Sequence, residues 1–213
     1  MPQILPSLAS ANPLMLLEEM RRLGRNQPVH LDIEDGNFVP NITFGLSAVR
    51  GIVREAGAPL DAHLLVVHPA DYIDELCNLG ISQIAVHIES DEYPARLLFA
   101  IRSRGCRAGL ALNLKTQLAE AEPFIDDLDY LLLMTSEPDG RGQMFCPRVL
   151  TKIQCARKML PNCTQLWVDG GIGERELKLV TQSGADVAVI GRALFRAPDP
   201  AAEIIRLQTA SLC

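Results

Sequence analysis

Short apolar runs alternate along this chain with longer stretches in which apolar residues return every third or fourth position. The runs fall at 3–5, 29–32, 60–65, 84–87, 108–112, 130–134, 166–169 and 187–190 and read as strands. The longer stretches fall at 13–23, 46–55, 70–79, 93–104, 118–124, 147–160, 174–183 and 200–207 and read as helices. Leu16, Met20 and Leu23 illustrate the helical spacing.

Strict alternation of strand and helix specifies a parallel sheet. Eight units in 213 residues specify a compact α/β fold, a single (β/α)8 TIM barrel spanning 1–213. A doubly wound open sheet competes on strand count alone. The strand ends favour the barrel, because they carry Ser7, His30 and Asp32, His63, His87, Asn113, Met134, Asp169 and Gly191. An open sheet would bring few of these together, whereas a barrel gathers all of them at one mouth.

Composition narrows the picture only modestly. A hydrophobic share of 48% and a charged share of 22% are those of a globular domain. A net charge of -6 argues against a nucleic-acid or anionic-membrane surface. No apolar run approaches the ~20 residues of a membrane span. The start, MPQILPSLASANPL, lacks a basic segment and is broken by proline, unlike a signal peptide. Six cysteines include no C-x-x-C pair, so they read as reduced thiols of a cytoplasmic protein.

Candidate chemistry begins with HLDIEDG at 30–36. In a strand, residues two apart share a face, so His30 and Asp32 can meet one ion. His63 in LDAHLL and Asp169 in LWVDGGI end two further strands. Each alone fits a core or capping role. Together at one mouth, two histidines and two carboxylates suit a divalent transition ion. His87 is open between a supporting partner of a ligand and a polar strand tip, and His68 is a surface residue. Three consecutive loops, PDGRGQ, DGGIGE and IGRALF, are glycine-rich where barrels commonly hold phosphate. A metal that takes a ketone oxygen and its neighbouring hydroxyl would acidify the carbon between them and stabilise an enediolate. Two carboxylates could then remove a proton and return one from the opposite side.

With these pieces in place, the chain resembles the ribulose-phosphate 3-epimerase family. The resemblance runs from LPSLASAN to VIGRALF through HLDIEDG, VPNITFG, LDAHLL, VHIES, MTSEPDGRGQMFCP and VDGGI. It implies a (β/α)8 barrel with one divalent ion, Zn, Fe, Mn or Co, on His30, Asp32, His63 and Asp169. It implies Asp32 as proton acceptor and Asp169 as donor in one direction. Ser7, His63 and Met134 would touch substrate. Asp139, Gly140, Arg141 and Gly142, then Gly170 and Gly171, then Gly191 and Arg192, would hold its phosphate. The substrate implied is ribulose 5-phosphate or a related pentulose or hexulose phosphate, and a homo-oligomer is expected.

The chain also departs from the family pattern. Glu34 and Leu65 stand where the family usually has methionine, while Met134 keeps the third methionine of that cap. The loop usually N-P-G-F-G-G-Q reads E-P-D-G-R-G-Q, G-S or G-N reads Gly191-Arg192, and L-N-P reads Leu112-Asn113-Leu114. Arg141 or Arg192 could grip phosphate in two places, or pair with Glu137 or Glu34 and narrow the mouth. The pattern resembles a divergent epimerase-like subgroup of bacterial sugar-uptake operons, with the chemistry kept and the substrate changed. Related barrels with D-x-K-x-x-D decarboxylate or condense sugar phosphates, and this chain has Asp32-Ile-Glu-Asp35 without the lysine. The remaining alternative is a non-catalytic sugar-phosphate-binding regulator on the same fold.

Overall fold

The computed structural model describes residues 2–139 and 142–211. Among them, eight parallel strands form one sheet: β1 (Gln3–Pro6), β2 (Val29–Glu34), β3 (Leu60–Leu65), β4 (Gln83–His87), β5 (Arg107–Leu112), β6 (Tyr130–Met134), β7 (Gln165–Asp169) and β8 (Val187–Ile190). Their spatial order is β1-β8-β7-β6-β5-β4-β3-β2, and a parallel bridge between Ser7 and His30 brings the two outer strands together. The sheet therefore curls into a nearly closed (β/α)8 barrel rather than the open sheet that competed with it.

The surrounding helices are α1 (Leu16–Leu23), α2 (Leu46–Glu55), α3 (Ala70–Asn78), α4 (Pro94–Ser103), α5 (Val149–Met159), α6 (Glu174–Gln182), α7 (Arg192–Phe195) and α8 (Pro200–Ala210). Each expected strand and helix is present within a few residues of its expected bounds. Two local differences have physical causes. The segment Leu118–Asp127 is a 3-10 helix, with Pro123 inside it removing one N–H donor from any α-helical ladder. The short α7 follows Gly191 directly, where the spacing suggested only a loop.

Two apolar layers hold the barrel. Outward-facing strand residues such as Leu31, Ile33, Leu64, Val86, Leu110, Leu131 and Val168 are buried beneath the helices. Inward-facing Leu5, Ala85, Ala111, Tyr130, Leu132, Met134, Trp167, Val187 and Val189 fill the axis. Tyr130 and Trp167 stack with centroids 4.4 Å apart. Gly109 makes room for them, because a Cβ there would lie 2.3 Å from the Tyr130 ring. Below the rings, Arg107 donates to Gln83 at 2.7 Å and to Gln165 at 3.0 Å, closing the amino end with polar groups. The described side chains thus fill the floor and middle of the barrel, and a cavity opens toward the carboxyl ends of the strands.

No helix among the described residues is long and apolar enough to cross a membrane. The five described cysteines are free thiols.

Candidate active site

β2 turns His30, Asp32 and Glu34 inward, two residues apart, and β3 does the same with Asp61, His63 and Leu65. The register sets His30 beside Asp61 and Asp32 beside His63. Each imidazole therefore meets a carboxylate on the next strand. β7 ends on Asp169, paired with Met134 of β6 and Val189 of β8.

These strands bring the four expected residues to one point. One ligand-capable atom from each of His30, Asp32, His63 and Asp169 lies within 4.8 Å of the others. His30 Nε2 is 3.1 Å and His63 Nδ1 is 3.2 Å from Asp32 Oδ1, and His63 Nδ1 is 3.7 Å from Asp169 Oδ2. Ser7 donates to the other Asp32 oxygen at 2.6 Å. The Asp169 carboxylate keeps 13% of its surface open to the cavity, while both imidazoles are enclosed. Two imidazoles and two carboxylates, converging and mostly buried, fit a divalent ion of borderline softness.

The electrostatics separate the two aspartates. Burial alone would raise Asp32, but His30 and His63 outweigh it and hold the carboxyl well below its ordinary range. Burial and then the Asp32 charge push Asp169 up. The two neighbouring carboxylates therefore have proton affinities driven apart by their surroundings. Burial opposes charge on His30, yet Asp61 and Asp32 hold it well above its usual value. Burial likewise opposes charge on His63, and Asp169 and Asp32 hold it above.

Supporting contacts extend outward from the cluster. His30 Nδ1 makes a short contact with the buried Asp61, which fixes the ring and leaves Nε2 facing the cluster. His63 Nε2 faces His87, and His87 faces Glu89. The open question over His87 resolves as a partner of His63. Asp61 and Glu89 carry no motif of their own in the sequence. Asp61 shares a strand face with His63 and meets His30 through the β2–β3 register, whereas Glu89 reaches His87 from the 3-10 turn Ile88–Ser90 that follows β4. His68 is exposed, as expected.

A cavity of about 410 Å³ opens above the cluster, lined by Asp32, Asp169, Ser7, Met134, Gly170, Gly171, Gly191 and Arg192 among others. The glycines are sterically required. A Cβ on Gly171, at φ +66°, would sit 2.5 Å from the Gln143 carbonyl, and one on Gly191 would sit 2.1 Å from Ser10 Oγ. Arg192 pairs with neither Glu34 nor Glu137. Its guanidinium donates to the Gly142 and Gln143 carbonyls at 2.5 and 2.8 Å, tying the β6–α5 loop to the β8 end. Gly142 lies beside this clasp in an adjoining depression, and Asp139 lines another with Phe38 and Lys115. Gly140 and Arg141 lie outside the described residues.

Residues 3–195 match the model of the "Ribulose-phosphate 3 epimerase family". A ribulose-phosphate 3-epimerase of Aquifex aeolicus is 36% identical over 188 residues, covering 86% of this chain and 84% of that protein. The cytoplasmic isoform of ribulose-phosphate 3-epimerase from Oryza sativa subsp. japonica is 34% identical over 213 residues, covering 97% and 92%. Among solved structures, 3-hexulose-6-phosphate synthase from Salmonella typhimurium superposes with a TM-score of 0.73 at 16% identity, covering 99% of this chain and 98% of that one. Orotidine 5'-phosphate decarboxylase from Pyrococcus horikoshii gives a TM-score of 0.70 at 14% identity, with 99% and 100% covered. At such low identity these two speak for the fold alone.

Proposed function

The chain belongs to the ribulose-phosphate 3-epimerase family and is an isomerase of the epimerase class, and from that premise we propose that it inverts C3 of a ketose phosphate with Asp32 and Asp169 as its two acid/base groups. The observation that carries this reading is the convergence of His30, Asp32, His63 and Asp169 beneath a glycine-lined cavity. These four would hold one divalent ion, Zn, Fe, Mn or Co. When bound, that ion supplies a positive charge that stabilises the negative charge developing on the substrate's carbonyl oxygen.

The chain's own residues supply the rest. Asp32, ionised and oriented by the Ser7 hydroxyl, takes the proton from C3. Asp169, whose proton affinity is raised by burial and the Asp32 charge, returns one to the opposite face. His63 and Met134 would contact the sugar. Backbone N–H groups around Gly170, Gly171 and Gly191, which line the cavity, would receive its phosphate. Arg192 would keep the Gly142–Gln143 backbone in place for that grip, and Asp139, Gly140 and Arg141 would complete the loop around it. Ribulose 5-phosphate is one candidate substrate, and the charged residues at the mouth favour a related ketose phosphate. The reading includes a single-domain chain that works in the cytoplasm as a homo-oligomer.

The test is solvent exchange. Metal-loaded protein is incubated in D2O with D-ribulose 5-phosphate, D-xylulose 5-phosphate and D-fructose 6-phosphate, and C3 is followed by NMR. The expected result is deuterium at C3 that vanishes in Asp32→Asn and Asp169→Asn. No exchange with any sugar, from protein shown to hold its ion, would overturn catalysis in favour of a sugar-phosphate-binding regulator.

A further inference from the structure

β2 sends three side chains into the barrel, and only His30 and Asp32 belong to the four-residue cluster. The third, Glu34, is 7% exposed and lines the same cavity as Asp32 and Asp169. Its Oε2 accepts a hydrogen bond from Asn41 at 2.5 Å. Its Oε1 makes no hydrogen bond among the described residues. Burying a carboxylate is unfavourable unless its acceptor sites are filled, and one amide fills only part of them.

Among the described residues, no side chain donates to that Oε1, and its nearest strand neighbours offer no donor. Leu65, beside it in register on β3, is apolar, and so is Met134 across the cavity. Asp32 and Asp169 present acceptors of their own. The backbone N–H of Glu34 is already directed at Thr43 Oγ1, at 3.0 Å. Oε1 thus faces the cavity with its acceptor capacity free for what occupies it.

Resting on the epimerase reading above, we propose that Glu34 is a specificity-determining residue whose Oε1 accepts a hydrogen bond from a sugar hydroxyl other than the one on the reacting carbon. In a pentulose 5-phosphate, that hydroxyl is on C1 or C4. A site built to hydrogen-bond a hydroxyl discriminates strongly against the analogue that lacks it, because the carboxylate is then left unpaired.

The experiment measures kcat/KM for C3 exchange on the best of the three ketose phosphates above and on its 1-deoxy and 4-deoxy analogues. Wild type, Glu34→Gln and Glu34→Met are compared at equal, measured metal content. Wild type is expected to prefer the parent sugar over one analogue by roughly 100-fold or more. Glu34→Met should cut that ratio at least tenfold by slowing the parent sugar. Glu34→Gln, whose amide oxygen still accepts, should keep most of it. Should Glu34→Met fail to fold by circular dichroism, Glu34→Ala takes its place. A parent-to-analogue ratio that stays within twofold in the apolar variant overturns the proposal while leaving the epimerase intact. Loss of metal in that variant also overturns it, since Glu34 would then act through the ion. Absence of exchange on every sugar by wild type instead removes the epimerase reading itself, and this inference with it.

Discussion

The Nε2 atoms of His63 and His87 face each other at 2.8 Å inside the barrel wall. Only one of them can carry a proton between the rings. His63 turns Nδ1 toward Asp32 and Asp169, so in the ligating form its proton sits on Nε2 and is donated to His87. His87 must then carry its own proton on Nδ1, where Glu89 accepts it at 3.0 Å. Burial, above all, takes His87 down to about 4, which keeps it neutral and able to accept. Burial would raise Glu89, but its bond with His87 and those from Thr116 and Asn113 hold it down to about 2. The chain from Glu89 to His63 sets one tautomer at the site.

His87→Phe should therefore weaken the metal without unfolding the protein. Phenylalanine keeps much of the ring volume and its contact with Phe38, but removes the acceptor for His63. Affinity is expected to fall about 10- to 100-fold, the usual loss when a ligand's supporting partner is removed. Competition against a chromogenic chelator measures it. Affinity equal to wild type would show that His63 needs no such partner.

The pH dependence of the metal-free and metal-loaded proteins should run in opposite directions. His30 and His63 both lie above the ordinary value of 6.5 in the folded protein. A raised pKa contributes stability that is complete below 6.5 and is lost as pH climbs through the folded values. Protein stripped of metal should thus melt progressively lower as pH rises above 6.5. Binding an ion expels those protons, so affinity should increase over the same interval. Melting curves with and without EDTA, and calorimetry in two buffers of different ionisation heat, test both statements. Metal uptake without proton release would contradict them.

Gly109→Ala should destabilise the barrel from within. The added methyl would lie 2.3 to 2.8 Å from three atoms of the Tyr130 ring, which is itself stacked on Trp167. Overpacking of this kind costs about 1–3 kcal/mol. In a chain of this length that is a drop of roughly 2–12 °C in Tm. Tyr130→Phe is the contrasting change. The Tyr130 hydroxyl is buried without a hydrogen-bond partner, so its removal should leave Tm unchanged or higher. Differential scanning calorimetry separates the two, and a stabilising Gly109→Ala would refute the packing account.

Arg192→Met should loosen the hold on phosphate rather than the chemistry. Its guanidinium ties the Gly142 and Gln143 carbonyls to the start of α7. Without it, KM for a phosphorylated sugar is expected to rise about tenfold with kcat changed far less, the signature of lost uniform binding. Limited proteolysis between 142 and 146 should quicken in parallel. An unchanged KM would mean that the loop holds its place unaided.

Much of this protein was legible along the chain because strand and helix periods differ. Runs such as 130–134 and 187–190 could be placed as strands without any knowledge of their neighbours. The 118–124 stretch was less legible, because its helical pattern takes no account of Pro123 and the segment winds as a 3-10 helix instead. His30, Asp32, His63 and Asp169 were visible as polar groups at strand ends. Asp61 and Glu89 were not, since Asp61 meets His30 only through the register of the adjacent strand and Glu89 folds back on His87 from a 3-10 turn. Arg192 was misleading in one respect. A guanidinium beside a phosphate loop suggests an anion or a carboxylate partner, yet it spends its donors on two carbonyls.

The sequence by itself determined the alternation of strand and helix, and so a parallel α/β sheet whose strand ends favoured a barrel, because local periodicity and apolar burial act over a few residues at a time. It also determined which chemical groups reach the mouth. Only the tertiary structure decided how those groups face one another. The β2–β3 register sets each histidine against a carboxylate, curvature carries Asp169 from β7 back to His63, and closure brings Ser7 onto Asp32. Those relationships join residues 25 to more than 100 positions apart, and the fields that drive Asp32 down and Asp169 up exist only once water has been excluded between them.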